Sequence, residues 1–299
     1  MVVKIVECIP NISEGRRLEV VEEILDEVRQ VAGVTLLDYS SNADHNRTVI
    51  SMIGEPEKVL EAAWRLIVKA AEKIDLDQHQ GEHPRMGATD VVPFVPVRGM
   101  TMDECVELAK RLGERVGREL SIPVYLYEKA ATRPERRNLA DVRRGQYEGL
   151  KESVKTPERT PDFGPSVLGK AGAIAVGARP PLVAFNVNLG TTNLEIGKAI
   201  AKGIRGSSGG FVNVKALGID LSEQGMIQIS MNMVDTQGTP LYRAMEFIKT
   251  EAAHFGVPVI GSEIVGLVPL DAMLDAATYY LKLHDFSSEQ ILEKRVFGF

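Results

Sequence analysis

The fold is decided by residues 182–232, which read LVAFNVNLGTTNLEIGKAIAKGIRGSSGGFVNVKALGIDLSEQGMIQISMN. The spacing of their apolar residues predicts, in order, a strand, a helix and two strands, over Leu182–Asn188, Thr192–Ile204, Val212–Ile219 and Met226–Asn232. A strand alternates its buried and outward side chains, whereas a helix repeats its buried face every three or four residues. This stretch therefore predicts the first two-thirds of a small α+β domain.

The residues that follow complete the domain. A helix is predicted over Thr239–Phe255, where Gly256 and Pro258 end it, and a strand over Val259–Val265. The order of strand, helix, strand, strand, helix and strand is that of a ferredoxin-like domain. Such a domain packs its helices on one face of a mainly antiparallel sheet. One further helix is predicted over Leu270–Leu281.

The first half of the chain predicts the same order of elements. Ser13 is expected to cap the first helix there, and Thr101 an additional third helix. The predicted elements are strand Val2–Cys8, helix Gly15–Val31, strands Val34–Leu37 and Thr48–Ile53, helix Pro56–Ile74, strand Val91–Val97, helix Met102–Leu120 and strand Val124–Tyr127. The fold class is therefore α+β, with two ferredoxin-like βαββαβ subdomains packed around a central cleft.

The expected boundary between the subdomains follows a polar segment over 145–172 that is rich in proline and glycine. A long segment of this kind is usually a linker or a functional loop. We therefore expect an N-terminal subdomain with its linker over 1–172 and a C-terminal subdomain over 173–299. Clefts between domains are preferred sites for small molecules.

Composition narrows the class of protein. The 299 residues carry 35 Lys and Arg against 41 Asp and Glu, a net charge of −6, which disfavours broad nucleic-acid binding. No apolar run approaches the roughly 20 residues that span a bilayer. The two cysteines, Cys8 and Cys105, are interpreted as reduced thiols of a cytoplasmic protein. The expected partners are therefore small molecules, without nucleic acid or membrane.

The densest polar cluster is residues 77–87, DQHQGEHPRMG, between a predicted helix and a predicted strand. Pro84 and Gly87 favour a loop that presents His83 in a fixed orientation. A histidine with a pKa near 6.5 can accept and return a proton at neutral pH. Glu82, Asp77 or Asp38 could orient its ring.

The same cluster contains His79, Glu82 and His83 in the H-x-x-E-H spacing of a zinc site. That motif requires a helix, so that both imidazoles project from one face. Gly81 weakens a helix here, and Pro84 biases His83 away from helical backbone angles. We therefore predict no metal.

Two further clusters are candidates for substrate binding. Asn46 and Arg47, in the loop before a strand, could bind a carboxylate or a carbonyl, although Asn and Asp in such a loop also favour a tight turn. Asn186 and Asn188 share one face of a strand that ends at Gly190, and their amides could bind a heterocycle or cap the strand end. The arginines at positions 133, 136, 137, 143 and 144 are interpreted as a solvated face without a catalytic role.

Several blocks of the sequence resemble the glutamate formimidoyltransferase family, in family order and over about residues 2 to 283. They are ECIPNISEG (7–15), NRT (46–48), GEHPRMGA (81–88), PVYLY (123–127), DFGP (162–165), AFNVNL (184–189) and VGLVPL (265–270). The resemblance implies two α/β subdomains with a folate tunnel between them. It also implies transfer of a formimino group from N-formimino-L-glutamate to N5 of tetrahydrofolate, the co-substrate, with release of glutamate in histidine breakdown.

The resemblance also implies roles for single residues. The family's catalytic histidine matches His83, and its folate-contacting segment matches Gly164–Gly172. Together with the clusters above, the predicted substrate-binding residues are Asp38, His45, Asn46, Arg47, Glu82, Arg85, Met86, Gly87, Gly164, Pro165, Gly172, Asn186, Asn188 and Gly190. Arg47 or Arg85 is expected to hold a substrate carboxylate.

Two departures from the family pattern matter. Animal members carry an acid two positions after the one that matches Asp38, where this chain has Ser40, so Asp38 or Asp44 is expected to serve as the partner of His83. Animal members also continue into a cyclodeaminase domain, so we expect a separate protein to deaminate the product. A homodimer is the default expectation.

Two other functions stay open from the sequence. One is a transferase of the same fold that uses N-formylglutamate or 5-formyltetrahydrofolate. The other is a folate-binding protein without catalysis.

Overall fold

The computed structural model describes residues 3–297, so Val2, the expected first residue of the N-terminal strand, lies outside the described residues. The chain divides into two compact units, Met1–Arg179 (unit 1) and Pro180–Phe299 (unit 2). Each unit has its own buried apolar core. Within the described residues, no helix combines the length and the apolar character that crossing a membrane requires.

Unit 1 contains a sheet of seven described strands. Its elements are β1 (Ile5–Cys8), β2 (Asn11–Ile12), α1 (Leu18–Arg29), β3 (Val34–Asn42), β4 (Arg47–Gly54), α2 (Pro56–Lys73), β5 (Thr89–Arg98), α3 (Met102–Glu119), β6 (Val124–Glu128), α4 (Leu139–Val142), α5 (Gln146–Ser153) and β7 (Ile174–Ala178). β1 and β2 both lie between β4 and β5, and the sheet runs β3, β4, β1/β2, β5, β7, β6. β7 pairs in parallel with both of its neighbours, and the other pairs are antiparallel.

Unit 2 repeats the arrangement on a smaller scale. Its elements are β8 (Val183–Leu189), α6 (Leu194–Ile204), β9 (Val214–Leu221), β10 (Met226–Met233), α7 (Leu241–His254), β11 (Val259–Val265), α8 (Leu270–Leu281) and α9 (Leu292–Phe297). Its sheet runs β11, β8, β10, β9, and every pair is antiparallel. In both units the four strands of the ferredoxin-like motif follow the spatial order second, third, first, fourth. The predicted α+β class with two ferredoxin-like units is confirmed.

In unit 1, the starts of two long helices agree with the sequence and the start of the third differs. Pro56 opens α2, and Thr101 forms a capping box with Glu104 at the start of α3. The prediction that Ser13 caps the first helix is wrong. α1 begins at Leu18, and the Ser13 hydroxyl instead donates to the Gly87 carbonyl oxygen at 2.7 Å. The Glu14 carboxylate accepts the amides of residues 15, 16 and 17 at 2.9–3.1 Å and performs the capping role.

The segment expected to be a linker is part of unit 1. It contains α5 and leads into β7, a fully buried strand that the sequence did not predict. Because β7 pairs with β5 and β6, the compact units divide after Arg179, whereas the sequence placed the boundary after residue 172.

Two glycines let this segment approach the loop that carries His83. Gly87 and Gly172 form an isolated β-bridge, and the Ala173 amide donates to the Met86 carbonyl oxygen at 2.8 Å. A Cβ added at Gly87 would lie 1.9 Å from the Ala173 carbonyl oxygen, a backbone atom that cannot swing aside. Gly87 is therefore required by the close packing of two chain segments.

We expect Gly87→Ala to lower the free energy of unfolding by about 2 kcal/mol or more, because overpacking against fixed backbone forces the segments apart. The measurement is the midpoint of urea unfolding. Gly169→Ala is the matched control, since a Cβ there meets no heavy atom within 4 Å. Equal midpoints for the two variants would contradict this account of the packing.

Candidate active site

Loop 77–88 carries His83 and contains no helix, so the two histidines of the H-x-x-E-H spacing do not share a helical face. The loop lies against the turn before β4, where the Glu82 amide donates to the Asp44 carbonyl oxygen at 3.2 Å. A Cβ added at Gly81 would lie 2.3 Å from the His45 carbonyl oxygen. This close approach brings His45 beside His83, with ring centroids 6.0 Å apart.

His79 is held by both of its ring nitrogens. Its Nδ1 accepts from Arg85 Nε at 3.1 Å, so its Nε2 carries the proton and donates to the Asn46 carbonyl oxygen at 2.9 Å. Burial lowers its pKa, and the charge of Arg85 lowers it further. His79 is therefore a neutral structural residue that joins the two loops.

Arg85 is fully engaged within unit 1. Its Nη1 and Nη2 donate to the two carboxylate oxygens of Glu148 on α5, at 2.9 and 2.7 Å, and its Nε donates to His79. The guanidinium forms part of the wall of a cavity of about 560 Å³ that also borders α5. Since a carboxylate of this chain already occupies its fork, we do not assign Arg85 to a substrate carboxylate.

The ring of His83 lies among positive charges. Burial has the largest effect and, with the neighbouring positive charges, lowers the pKa of His83 to about 3; these charges come from Arg47, Arg143 and His45. A hydrogen bond to the Pro84 backbone raises this pKa by a smaller amount. No carboxylate among residues 3–297 is hydrogen-bonded to this ring, and the side chains of Asp38, Asp44 and Glu82 are exposed. His83 is therefore neutral at physiological pH.

Arg47 has unused hydrogen-bonding capacity. Its Nη2 donates to Asn11 Oδ1, but its Nε is buried without a partner among the described residues. Burial and the charge of Arg143 lower its pKa to about 10, so it stays a cation at neutral pH. A buried guanidinium N–H without an acceptor is costly, and a bound anion would satisfy it.

Arg143 and Asp90 are site residues that the sequence did not predict. Arg143 forms an ion pair with Asp90 through Nη2, and its Nε is also buried without a partner among the described residues. Asp90 Oδ1 accepts the Met86 amide at 2.9 Å. One buried carboxylate thus holds both Arg143 and the loop of His83. The sequence did contain one signal for this pair: Asp90 is a charged residue at the start of the apolar strand β5, and a buried charge usually has a partner.

The structure brings part of the predicted site together. A small pocket is lined by Ser13, His45, Asn46, Arg47, His79, His83, Arg85 and Asp90. Within it, the Asn46 amide holds the two loops together by accepting from the Gly15 amide and donating to the Gln80 carbonyl oxygen, both at 2.9 Å.

Other predicted residues of unit 1 lie outside this pocket. Met86 is fully buried in the core, and Gly87 and Gly172 form the backbone bridge described above. Gly164 adopts a left-handed conformation with φ of +81° next to Ile122, and Pro165 is exposed.

The remaining predicted residues are in unit 2. Asn186 and Asn188 lie on β8 and share a face of its sheet, and their side chains form hydrogen bonds with residues of the neighbouring strands. The Gly190 amide donates to the Pro258 carbonyl oxygen at 2.9 Å. Over the described part of the chain, no three His, Cys, Asp or Glu side chains are arranged to hold a metal ion.

Comparisons with known proteins show the family to which the chain belongs. The family model of the formiminotransferase domain, N-terminal subdomain, matches residues 5–179, and that of the formiminotransferase domain matches residues 184–295. Glutamate formimidoyltransferase of Streptococcus pyogenes serotype M1 is 52% identical over 99% of both chains. The protein of that name from Thermoplasma acidophilum is 51% identical over 98% of this chain and 97% of its own. Formimidoyltransferase-cyclodeaminase of Rattus norvegicus is 45% identical over 93% of this chain and 52% of its own length. The chain therefore belongs to the formiminotransferase family.

Proposed function

We propose that this protein transfers the formimino group of N-formimino-L-glutamate to N5 of tetrahydrofolate and releases glutamate, with His83 as general base and then general acid. The observation that carries the proposal is the pocket in which His83 lies with Arg47, together with the buried and unpartnered Nε of Arg47 and of Arg143. The names of the relatives, glutamate formimidoyltransferase and formimidoyltransferase-cyclodeaminase, support transfer of a formimidoyl group.

The chemistry resembles acyl transfer. N5 of tetrahydrofolate attacks the formimino carbon, and a tetrahedral intermediate forms. His83 accepts the proton from N5 and then returns it to the nitrogen of glutamate as the carbon–nitrogen bond to glutamate breaks. Acid–base help of this kind typically contributes about 10²–10⁴-fold to the rate.

Arg47 and Arg143 provide the site for the donor. N-formimino-L-glutamate carries two carboxylates, and the positive charges of Arg47 in the pocket and of Arg143, which acts on both Arg47 and His83, attract a carboxylate to this position. Its negative charge also opposes the effect of the two arginines on His83, so the proton affinity of the imidazole rises when the donor is bound. The imidazole thereby becomes a stronger base in the complex that reacts than in the free protein.

The experiment that tests this function is tetrahydrofolate-dependent release of glutamate from N-formimino-L-glutamate by the purified protein. N-formyl-L-glutamate is the parallel donor, and omission of tetrahydrofolate is the control. We expect release from the formimino donor only, and only with tetrahydrofolate present. Faster release from the formyl donor would favour the second transferase reaction, and no release from either would reject catalysis.

A further inference from the structure

Loop 77–88, which carries His83, is held by few contacts of its own backbone. Of the backbone amides of residues 79–85, that of Glu82 alone donates to a backbone carbonyl oxygen within the described chain. The side chains of Gln80, Glu82 and Pro84 are exposed, so packing adds little to hold them. The position of the loop therefore depends on side-chain contacts at its two ends.

Helix α5 contacts both ends of this loop. At the first end, the Tyr147 hydroxyl donates to Asp77 Oδ1 at 2.9 Å, and Lys151 forms an ion pair with the same carboxylate. At the second end, the Tyr147 amide donates to the Arg85 carbonyl oxygen at 3.0 Å, and the Glu148 carboxylate pairs with the Arg85 guanidinium. One short helix thus brackets the whole loop.

The pair between Glu148 and Arg85 is the most specific of these contacts. Both carboxylate oxygens of Glu148 accept hydrogen bonds, from Nη1 at 2.9 Å and from Nη2 at 2.7 Å, which is the fork geometry of a strong arginine–carboxylate pair. Arg85 is buried, whereas Glu148 is exposed. Replacing Glu148 therefore frees a buried cation without leaving a cavity in the core.

Arg85 connects this pair to the pocket of His83. Its Nε donates to His79 Nδ1 at 3.1 Å, and its Nη2 donates to the His79 carbonyl oxygen at 3.2 Å. His79 Nε2 in turn donates to the Asn46 carbonyl oxygen at 2.9 Å. A continuous chain of contacts therefore runs from Glu148 to the turn that forms the other wall of the pocket.

Arg85 and His79 also separate two spaces. They line the pocket of His83 on one side and the cavity of about 560 Å³ on the other. Glu148 lines the cavity and not the pocket, so its pair turns the guanidinium to the cavity side. While this pair holds, the charge of Arg85 is balanced and its fork is closed to a substrate carboxylate.

The backbone just before α5 is strained. Gly145 and Gln146 adopt consecutive left-handed conformations, with φ of +84° and +54°. This conformation is unfavourable for a residue other than glycine and persists only where surrounding contacts impose it. The contacts of α5 with loop 77–88 are therefore strong enough to hold the helix in one position.

We propose that Glu148 is a positioning residue for catalysis, which holds the loop of His83 in place through Arg85 and keeps the Arg85 guanidinium away from the donor. This inference rests on the proposed function, in which His83 is the acid–base group. Glu148 itself contacts no substrate in this role. A displacement of about 1 Å at a reacting group costs about 100-fold in rate, so a contact at this distance controls turnover.

The test is steady-state kinetics of Glu148→Gln, measured on the full chain with N-formimino-L-glutamate and tetrahydrofolate. We expect kcat to fall by about 10–100-fold, because the loop is no longer fixed. KM for the donor should stay the same or fall, because the freed guanidinium of Arg85 attracts the donor carboxylate to an unproductive position. Unchanged kcat, or a rise in KM with kcat unchanged, would overturn the proposal.

Hydrogen exchange provides a readout that does not depend on any reaction. The Glu82 amide donates to the Asp44 carbonyl oxygen, and the Tyr147 amide donates to that of Arg85. In Glu148→Gln both amides should exchange at least about tenfold faster, while the amides of strand β5 keep their rates. Unchanged exchange at both positions, or an equal increase throughout unit 1, would contradict a local positioning role.

Glu152→Gln is the matched control. Glu152 lies one turn later on the same exposed face of α5 and lines the same cavity, but it forms no hydrogen bond or ion pair with another described residue. Its replacement removes the same charge and should leave kcat, KM and hydrogen exchange unchanged. An equal loss of kcat in Glu152→Gln and Glu148→Gln would show that the pair with Arg85 is not the cause.

A double variant tests whether Glu148 acts through Arg85. In a protein that already carries Arg85→Gln, the further change Glu148→Gln should lower kcat by less than about twofold, because the contact is already absent. Losses that simply multiply would show that Glu148 acts independently of Arg85 and would overturn the proposal.

The proposal and the proposed function fail separately. Normal kinetics and normal exchange in Glu148→Gln, with formimino transfer by the unchanged protein, would reject only the positioning role. Faster exchange in that variant, with no formimino transfer by the unchanged protein, would reject the reaction and leave the contact of α5 with the loop intact.

Discussion

Replacing His83 with alanine should lower kcat for formimino transfer by about 10²–10⁴-fold while the affinity for folate stays nearly unchanged. The reason is that His83 is neutral and able to take the proton from N5, whereas His79 has both ring nitrogens engaged. The measurement is steady-state turnover with saturating tetrahydrofolate, combined with calorimetric binding of 5-formyltetrahydrofolate.

His45 provides the matched control for this prediction. Its ring lies 6.0 Å from that of His83, and it is exposed at the same pocket, so it is the alternative base. We expect His45→Asn to change kcat by less than about tenfold, since a solvated neighbour contributes less than the acid–base group itself. If His45→Asn caused the larger loss, the two roles would be reversed.

The second large effect is expected at Arg143. Arg143→Gln removes a cation with a free Nε from the donor site, so binding of N-formimino-L-glutamate should weaken by about 10–100-fold, a loss typical of a charged hydrogen bond. Because the charge of Arg143 lowers the pKa of His83, its removal raises that pKa, and the acid limb of kcat/KM moves to higher pH. Calorimetry and a pH–rate profile measure the two effects.

Two variants control for structural damage. Arg143→Lys keeps the ion pair with buried Asp90 and removes the guanidinium fork, so it should fold normally and still bind the donor weakly. Arg144→Gln changes the neighbouring arginine, whose side chain is 78% exposed, and should bind the donor normally. Equal donor affinity in Arg143→Gln and Arg144→Gln would contradict the assignment.

The order of elements was predictable because apolar periodicity follows from which face of a strand or helix is buried. That signal gave both ferredoxin-like units and the starts of α2 and α3. It did not give β7, whose sequence IAVGA is buried on both faces and therefore does not alternate. Only its parallel pairing with β5 and β6 identifies it as a strand of unit 1.

Site residues that cluster within one loop could be predicted from the sequence, whereas residues that depend on a contact with a distant part of the chain could not. His83 was predicted as the catalytic residue because histidine, arginine, proline and glycine concentrate in one loop. Arg143 was not, because in sequence it is one of several arginines near a helix. Its 14% side-chain exposure, against 78% for Arg144, depends on an ion pair with Asp90, which lies 53 positions away. A single sequence does not contain that pairing.

Arg85 illustrates the opposite case. Its place beside His83 in the sequence suggested a carboxylate-binding residue, but Glu148, 63 positions later, already occupies its guanidinium. Because Arg85 is already paired, we propose Arg47 and Arg143 as the anion-binding residues instead.

The most direct test of the central claim is a pH titration of the His83 imidazole by nitrogen NMR, in the free protein and with glutamate bound. We predict that the free ring stays neutral from pH 8 down to at least about pH 5, since its pKa is lowered to about 3, and that glutamate raises this pKa by pairing with the two arginines. A free ring that titrates near 6.5, with no shift when glutamate binds, would contradict the account.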